Sequence, residues 1–336
     1  MFEINNSKAP RSEDEVLVAK DLRKSYGQRE ALKGLSFSLN AGRILGFLGP
    51  NGAGKTTAIR ILTTILEPDS GHFVVNGISS DNPVELRRKI GVLPESLGFH
   101  KQMTGLECLI FFGRLYGRSA AQARATGLEL LKEVDLDQRS RSLVGTYSRG
   151  MRQRLGIART LVNDPSVLFL DEPTLGLDPR GQKELLDLIE RIARERNVGV
   201  ILCSHDLPEV ESVCDDVVIL NLGQVVAAGP VAEVIGHGQS RKSGVMQKSG
   251  MRVQVPFESI AQAQKALEAV PGIVQVTSGN DMGGWLRVEI RDAVDGQQNQ
   301  IKNKILETLI RANISVLSFE AEGSRLQDVF LQLTEK

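Results

Sequence analysis

From Val16 to Leu39 apolar and polar residues alternate in segments such as VLVAKDL and LSFSL, which predicts antiparallel strands with one covered face. The run ILGFLG, within Gly42 to Gly49, is apolar throughout and predicts a buried strand. Thr56 to Leu66 then carries Ile59, Leu62, Ile65 and Leu66 at helical spacing. Glu107–Tyr116, Ala120–Val134 and Ser148–Val162 also read as helices, so the middle third is expected to be an inserted helical lobe. Val167–Leu170 and Val198–Cys203 are short runs rich in Val, Ile and Leu, as in parallel strands covered on both faces. A helix over Gly181–Arg196 between them completes a βαβ unit. Val217–Leu220 and Gln224–Ala227 predict a hairpin turning at Asn221 to Gly223.

The pattern changes after His237 to Gly244, a polar, glycine-rich stretch that reads as a linker. Beyond it come a strand at Met251–Phe257, a helix at Ile260–Val270, and strands at Ile273–Ser278 and Trp285–Arg291. A helix at Gln297–Ala312, a strand at Ser315–Ala321 and a last helix at Leu326–Thr334 follow. The order βαββαβ predicts a ferredoxin-like α+β sandwich. The expected organisation is a loose tail over 1–15, a large α/β domain over 16–236, a linker over 237–250 and a smaller domain over 251–336. A length of 336 residues suits one large and one small domain.

Composition narrows the partners. Lys and Arg balance Asp and Glu at 41 each, so charge alone favours no nucleic acid. The start, MFEINNSKAPRSEDE, has no apolar core and reads as neither a secretory signal nor a transit peptide. The longest apolar stretch, Val217 to Ile235, is interrupted by Asn221, Gly223, Gln224, Pro230 and Glu233, so no bilayer-spanning helix is expected. Cys108, Cys203 and Cys214 lack metal-ligand spacing and suit a core in a reducing compartment, the cytosol.

Three motifs carry the chemistry. GPNGAGKT, Gly49 to Thr56, matches the phosphate-binding loop of nucleotide triphosphatases and lies between a predicted strand and a helix, the context that motif needs. Gly52 and Gly54 allow backbone N–H groups to turn inward, Lys55 reaches the β and γ phosphates, and Thr56 holds Mg²⁺ through its hydroxyl. Gly49, Asn51 and Thr57 complete the expected ATP contacts, with the positive end of the helix directed at the phosphates. Asp171 ends the apolar strand of VLFLDEP and suits the outer shell of Mg²⁺, and Glu172 is the candidate to orient an attacking water. His205, in CSHD, is a candidate for the γ-phosphate, and Tyr26, in KSYG, either stacks on adenine or packs in the core. Ser148 and Gly150, in YSRGMRQR, open a helix and form a second anion-binding arrangement.

With these motifs in this order, Val16 to Ile235 resembles the ATP-binding cassette (ABC) ATPases that power ABC transporters. The resemblance implies a P-loop NTPase core of ABC type with an antiparallel β subdomain and a helical subdomain. In that family two cassettes face head to tail, which assigns Ser148 and Gly150 to the partner's γ-phosphate and Asp178, in LGLD, to the contact between the sites. Where the family signature has L-S-G-G-Q, this chain has Tyr147 to Met151, with Arg149 replacing a glycine. Glu95, in VLPES, stands where a glutamine usually joins Mg²⁺ to the membrane subunit; a carboxylate accepts but does not donate like an amide.

Both departures, and the closing GSRLQDVFLQLT, resemble the branch serving exporters whose permease is a separate chain. The resemblance further implies that Met103 to Tyr116, with Leu106, Leu109, Phe111, Phe112 and Leu115, faces that permease. The expectation is an ATPase that forms a homodimer, or a cassette heterodimer, at the inner face of the cell membrane. The alternatives are a soluble cassette ATPase of translation or DNA repair and an importer ATPase whose C-terminal domain senses a ligand.

Overall fold

The computed structural model describes residues 14–240, 249–278, 284–290, 295–321 and 325–334. The chain divides into two compact units, Met1–Val231 with Leu333–Lys336, and Ala232–Gln332. The first unit opens with β1 (Glu15–Tyr26) and β2 (Arg29–Asn40), an antiparallel pair as the alternation predicts. The Asp14 carbonyl accepts Ala41 N–H at 2.8 Å, so the expected tail gives way to structure before residue 16, and residues 1–13 lie outside those described.

β3 (Ile44–Leu48) is buried along its whole length and leads into α1 (Lys55–Leu62). β4 (Ser70–Val75) and β5 (Ile78–Ser79) join β1 and β2 in a four-stranded antiparallel sheet ordered β2-β1-β4-β5. After the short α2 (Pro83–Leu86), β6 (Ile90–Leu93) leads to the helical lobe of α3 (Gly105–Leu115), α4 (Ala120–Glu133) and α5 (Arg149–Thr160). Capping boxes at Thr104 with Glu107 and at Ser119 with Gln122 satisfy the first amides of α3 and α4.

β7 (Val167–Asp171), α6 (Pro179–Arg196), β8 (Gly199–Cys203) and α7 (Leu207–Val213) follow, then the hairpin of β9 (Asp216–Asn221) and β10 (Gln224–Pro230). They build a six-stranded sheet in the order β10-β9-β3-β8-β7-β6, parallel except for the β9–β10 pair. Leu17, Leu35, Phe47, Ile61, Phe73 and Phe169 share one buried cluster drawn from both sheets and α1.

Two expectations about this unit need correction. The helix after the glycine loop begins at Lys55 and stops at Leu62, rather than running from Thr56 to Leu66. Thr64 adopts φ +60°, Ile65 and Leu66 both donate to the Arg60 carbonyl, and Ile65 is left 73% exposed. The expected linker also starts too early. α8 (Val231–Ser240), in which Val231 and Val234 are buried, continues through the polar residues, and 241–248 lie outside those described.

The second unit contains β11 (Ser249–Gln254), α9 (Ile260–Glu268), β12 (Ile273–Ser278), β13 (Trp285–Ile290), α10 (Asp295–Arg311), β14 (Ser318–Ala321) and α11 (Leu326–Thr334). β11 stops at Gln254 because Pro256 and a 3-10 turn at Phe257–Ser259 follow, and β14 starts three residues later than expected. The antiparallel sheet has the order β12-β13-β11-β14. Val253, Leu286 and Val288 from the sheet pack with Leu267 of α9 and Ile305 and Leu309 of α10.

Close approach fixes where α5 lies on the large sheet. A Cβ on Gly91 in β6 would sit 2.4 Å from the Thr160 carbonyl oxygen and 2.7 Å from Leu168 Cδ2. Gly91→Ala should therefore lower unfolding free energy by about 1–3 kcal/mol, read from the denaturant midpoint.

Candidate active site

Parallel strands end together, and the ends of β3, β6, β7 and β8 gather the candidate residues at one edge of the sheet. After β3 the loop turns through Gly49 (φ +155°), Gly52 (φ +79°) and Gly54 (φ +110°). At Gly54 the requirement is double, since a Cβ would also lie 2.5 Å from the Ala31 carbonyl oxygen. Lys55 folds back so that its ammonium donates to the carbonyls of Gly49 and Pro50. Burial lowers its pKa, while Glu172 and Asp171 oppose that effect. Motifs more than a hundred residues apart thus share one electrostatic neighbourhood.

Asp171 is the last residue of β7. Its carboxyl is pushed above the usual range, first by burial, then by the nearby carboxylates of Glu172 and Glu95, with Lys55 opposing. Glu95 is exposed two residues past β6. This crowding of negative charge fits a divalent cation alongside the exposed Thr56. Among the described residues no group of three or more His, Cys, Asp or Glu is disposed to hold a metal ion by itself, so phosphate oxygens would have to supply the remaining ligands.

Glu172 leaves the strand with φ +48°, and its N–H donates to the Cys203 carbonyl at 2.9 Å. Its Oε2 lies 2.8 Å from His205 Nδ1, so the structure joins the two residues singled out for hydrolysis. Tyr26 is 49% exposed at the tip of the β1–β2 hairpin, which excludes the packed-core alternative. The same tip brings Arg29 to 3.4 Å from the Gly52 carbonyl. Arg29 went unnoticed in the sequence because no motif marks a surface arginine in a hairpin.

Ser148 caps α5 by accepting Met151 N–H at 3.2 Å, with Tyr147 buried beside it and bonded to the Arg139 carbonyl at 2.7 Å. The arginine that replaces a signature glycine has a place of its own. A Cβ on Gly176 would lie 2.5 Å from Arg149 Cζ, so the guanidinium covers the turn leading to Asp178, the N-cap of α6. Gly150 and Leu177 are neighbours as well. The start of α5 therefore packs against the turn that leads to Asp178.

All three cysteines are free and buried, as expected, and burial pushes the Cys108 thiol up to about 11. Arg159 of α5 donates to the Leu97 carbonyl at 2.7 Å and stacks on Phe99 and Phe112, tying the segment after Glu95 to α3. A recess of about 470 Å³ between that segment and α5 is lined by Glu95, Leu97, Lys101, Arg149, Arg152 and Gln153, among others.

A glycine loop, a lysine and a strand-end carboxylate pair at the edge of a parallel sheet define a P-loop nucleotide triphosphatase. The comparisons with known proteins refine this. Residues 32–175 match the family model described as ABC transporter. The linearmycin resistance ATP-binding protein LnrL of Bacillus subtilis (strain 168) is 30% identical over 320 residues, covering 95% of this chain and 98% of that one. The daunorubicin/doxorubicin resistance ATP-binding protein DrrA of Streptomyces peucetius is 35% identical over 312 residues, 93% of this chain and 90% of its own. Among solved structures, a dimeric post-hydrolysis ATP-binding cassette bound to ADP and Pi is similar with a TM-score of 0.57 and 25% identity, covering 64% of this chain and 98% of that one. The chain belongs to the ABC transporter family, as an ATP-binding subunit that hydrolyses ATP.

The Glu172–His205 contact has a pH signature. The side-chain hydrogen bond and charge of Glu172 raise the His205 pKa above its ordinary 6.5. A folded value above the unfolded one means that the pair's stabilisation is complete below about pH 6.5 and is lost as pH rises through the folded midpoint. Histidine NMR titration should place His205 above 6.5, and Glu172→Gln should bring it back down.

Proposed function

We propose that two copies of this chain, or one copy with a second cassette, close around two ATP molecules and drive export through a membrane permease carried on another polypeptide. One observation carries the dimer reading. Among the described residues a Cβ on Gly150 would meet only Leu177 Cδ2, at 3.9 Å, so none of them requires a glycine there. Gly156, six residues on, would collide with Leu93 at 2.5 Å. A glycine free of internal constraint at a helix N-terminus suits the close approach of an anion held by a second copy.

In this reading Gly49, Asn51, Gly52, Gly54 and Thr57 surround the phosphates, Lys55 turns from its own loop to the β and γ oxygens, and Tyr26 stacks on adenine. Glu172 accepts a hydrogen bond from water as the water oxygen bonds to the γ-phosphorus and the bridging oxygen to the β-phosphate leaves, giving ADP and phosphate. His205, held by Glu172, faces the γ-phosphate, Ser148 and Gly150 of the second copy offset its charge, and Asp178 lies at the contact between the two sites. Thr56, Asp171 and Glu95 would hold Mg²⁺, which screens phosphate charge when bound.

In this reading the permease docks against the recess beside Glu95 and the side chains Phe111, Leu115 and Tyr116 of the α3 end, whose exposure supports it. Leu106 and Leu109 of the same segment are buried and belong to the lobe's core. No described helix is long and apolar enough to cross a membrane, so translocation falls to the partner, with this subunit at the inner face of the cell membrane. Similarity to resistance ATP-binding proteins supports export of a small toxic molecule. The antiparallel order β12-β13-β11-β14 supports a ferredoxin-like C-terminal domain, read as a dimer-stabilising or regulatory unit.

Glu172→Gln should bind ATP, accumulate as an ATP-dependent dimer on size-exclusion chromatography and release phosphate at least about 10²-fold more slowly. Normal turnover would remove Glu172 from its role. Gly150→Glu should fold normally yet fail to turn over, because a carboxylate there repels the γ-phosphate. Mixed with an inactive Lys55→Ala chain it should regain activity, since one of the two composite sites in each mixed dimer is intact; no recovery would count against shared sites.

A further inference from the structure

Behind the Glu172–His205 pair lies a second carboxylate. Glu209, in the first turn of α7, is 7% exposed, and its Oε2 accepts hydrogen bonds from Thr174 Oγ1 at 2.8 Å and Ser204 Oγ at 3.0 Å. Both hydroxyl residues are only 2% exposed. Among the described residues Glu209 Oε1 has no hydrogen-bond partner. Burial pushes this carboxyl above its usual range, with the Thr174 and Ser204 bonds opposing. A buried acid with one unpartnered oxygen is a costly way to fill space that a Leu or Met would occupy more stably.

Its position explains what the cost secures. Thr174 follows Glu172 by two residues, and Ser204 immediately precedes His205. Strand pairing holds β7 against β8 as far as Asp171 and Cys203, and the segments that carry Glu172 and His205 leave the sheet just beyond. Glu209 bridges those segments where the ladder has ended. Ser204 Oγ also accepts Asp206 N–H at 3.0 Å, and Asp206 in turn caps α7 at Glu209 N–H. The helix that presents Glu209 is thereby anchored to the turn that presents His205.

We propose that Glu209 is a positioning residue for ATP hydrolysis. By drawing Thr174 and Ser204 onto one carboxylate oxygen it fixes the separation at which Glu172 and His205 meet. This rests on reading Glu172 and His205 as the hydrolytic pair, and the test separates the two ideas.

The experiment uses the full-length chain, measuring steady-state ATP hydrolysis and thermal stability. Glu209→Ala should lower kcat by about 10-fold to 100-fold, the scale of a small misplacement near reacting groups, with KM for ATP nearly unchanged. Glu209→Gln offers an amide oxygen to the same two hydroxyls and should keep kcat within about threefold of the parent. Thr174→Val combined with Ser204→Ala leaves Glu209 in place, and should reproduce most of the alanine loss in a protein that remains folded. Losses in the alanine and glutamine variants should be unequal, and adding Glu209→Ala to the Thr174/Ser204 double variant should lower kcat little further.

Normal kcat in Glu209→Ala, equal losses in Ala and Gln, or a loss that appears as KM overturns the proposal. Glu172→Gln is the control. If it is inactive while Glu209→Ala is normal, the positioning role fails and the hydrolytic pair stands; if it hydrolyses ATP normally, the pair fails and the role of Glu209 with it.

Discussion

Parallel pairing of β3, β8, β7 and β6 places Phe47 beside Cys203, Asp171 beside Cys203 and Leu93 beside Leu170, and this register dictates which loops can meet. Every strand of the set is almost wholly apolar and covered, so a slip of one residue would break packing along the whole length. Four loops separated widely in sequence leave the sheet at the same level. Lys55, Asp171, Glu172 and His205 are neighbours because their strands are.

The site pays for this convergence in local strain and crowded charge. Glu172 adopts a left-handed backbone conformation, Asp171 is pushed up by burial and two like charges, and Lys55 turns toward its own loop carbonyls. Such an arrangement is arranged for a ligand with many negative oxygens and for a cation, since these relieve both the lysine and the carboxylates. The second unit is built on a different pattern. Its antiparallel sheet is ordered by alternation, with Val253, Leu286 and Val288 inward and neighbouring positions outward.

What could be read in advance was local. The glycine loop declares itself because positive φ and close backbone approach demand glycine at fixed intervals, and VLFLDEP because a covered strand must be apolar until it reaches the edge. The β1–β2 hairpin and the start of α5 at Ser148 also followed from short-range pattern. The rest depended on distance. Thr174, Ser204 and Glu209 look ordinary in sequence, and only the β7–β8 register brings them together. Arg149 read as a departure from a signature, whereas its guanidinium has a seat over Gly176. The early stop of α1 was hidden because Ile65 and Leu66 keep helical spacing although Thr64 has already ended the helix.

Arg159 has a mechanical consequence. Its guanidinium is bonded to the Leu97 carbonyl and lies on the rings of Phe99 and Phe112, while its backbone belongs to α5. Residues 97–99, α3 and α5 are consequently clamped together at one point. Outside that clamp, Pro94 to Ser96 form a short exposed connection between the end of β6 and Leu97. Glu95, whose charge reaches Asp171, sits at the centre of this connection, so the segment that leaves the large sheet for the lobe also carries charge into the site.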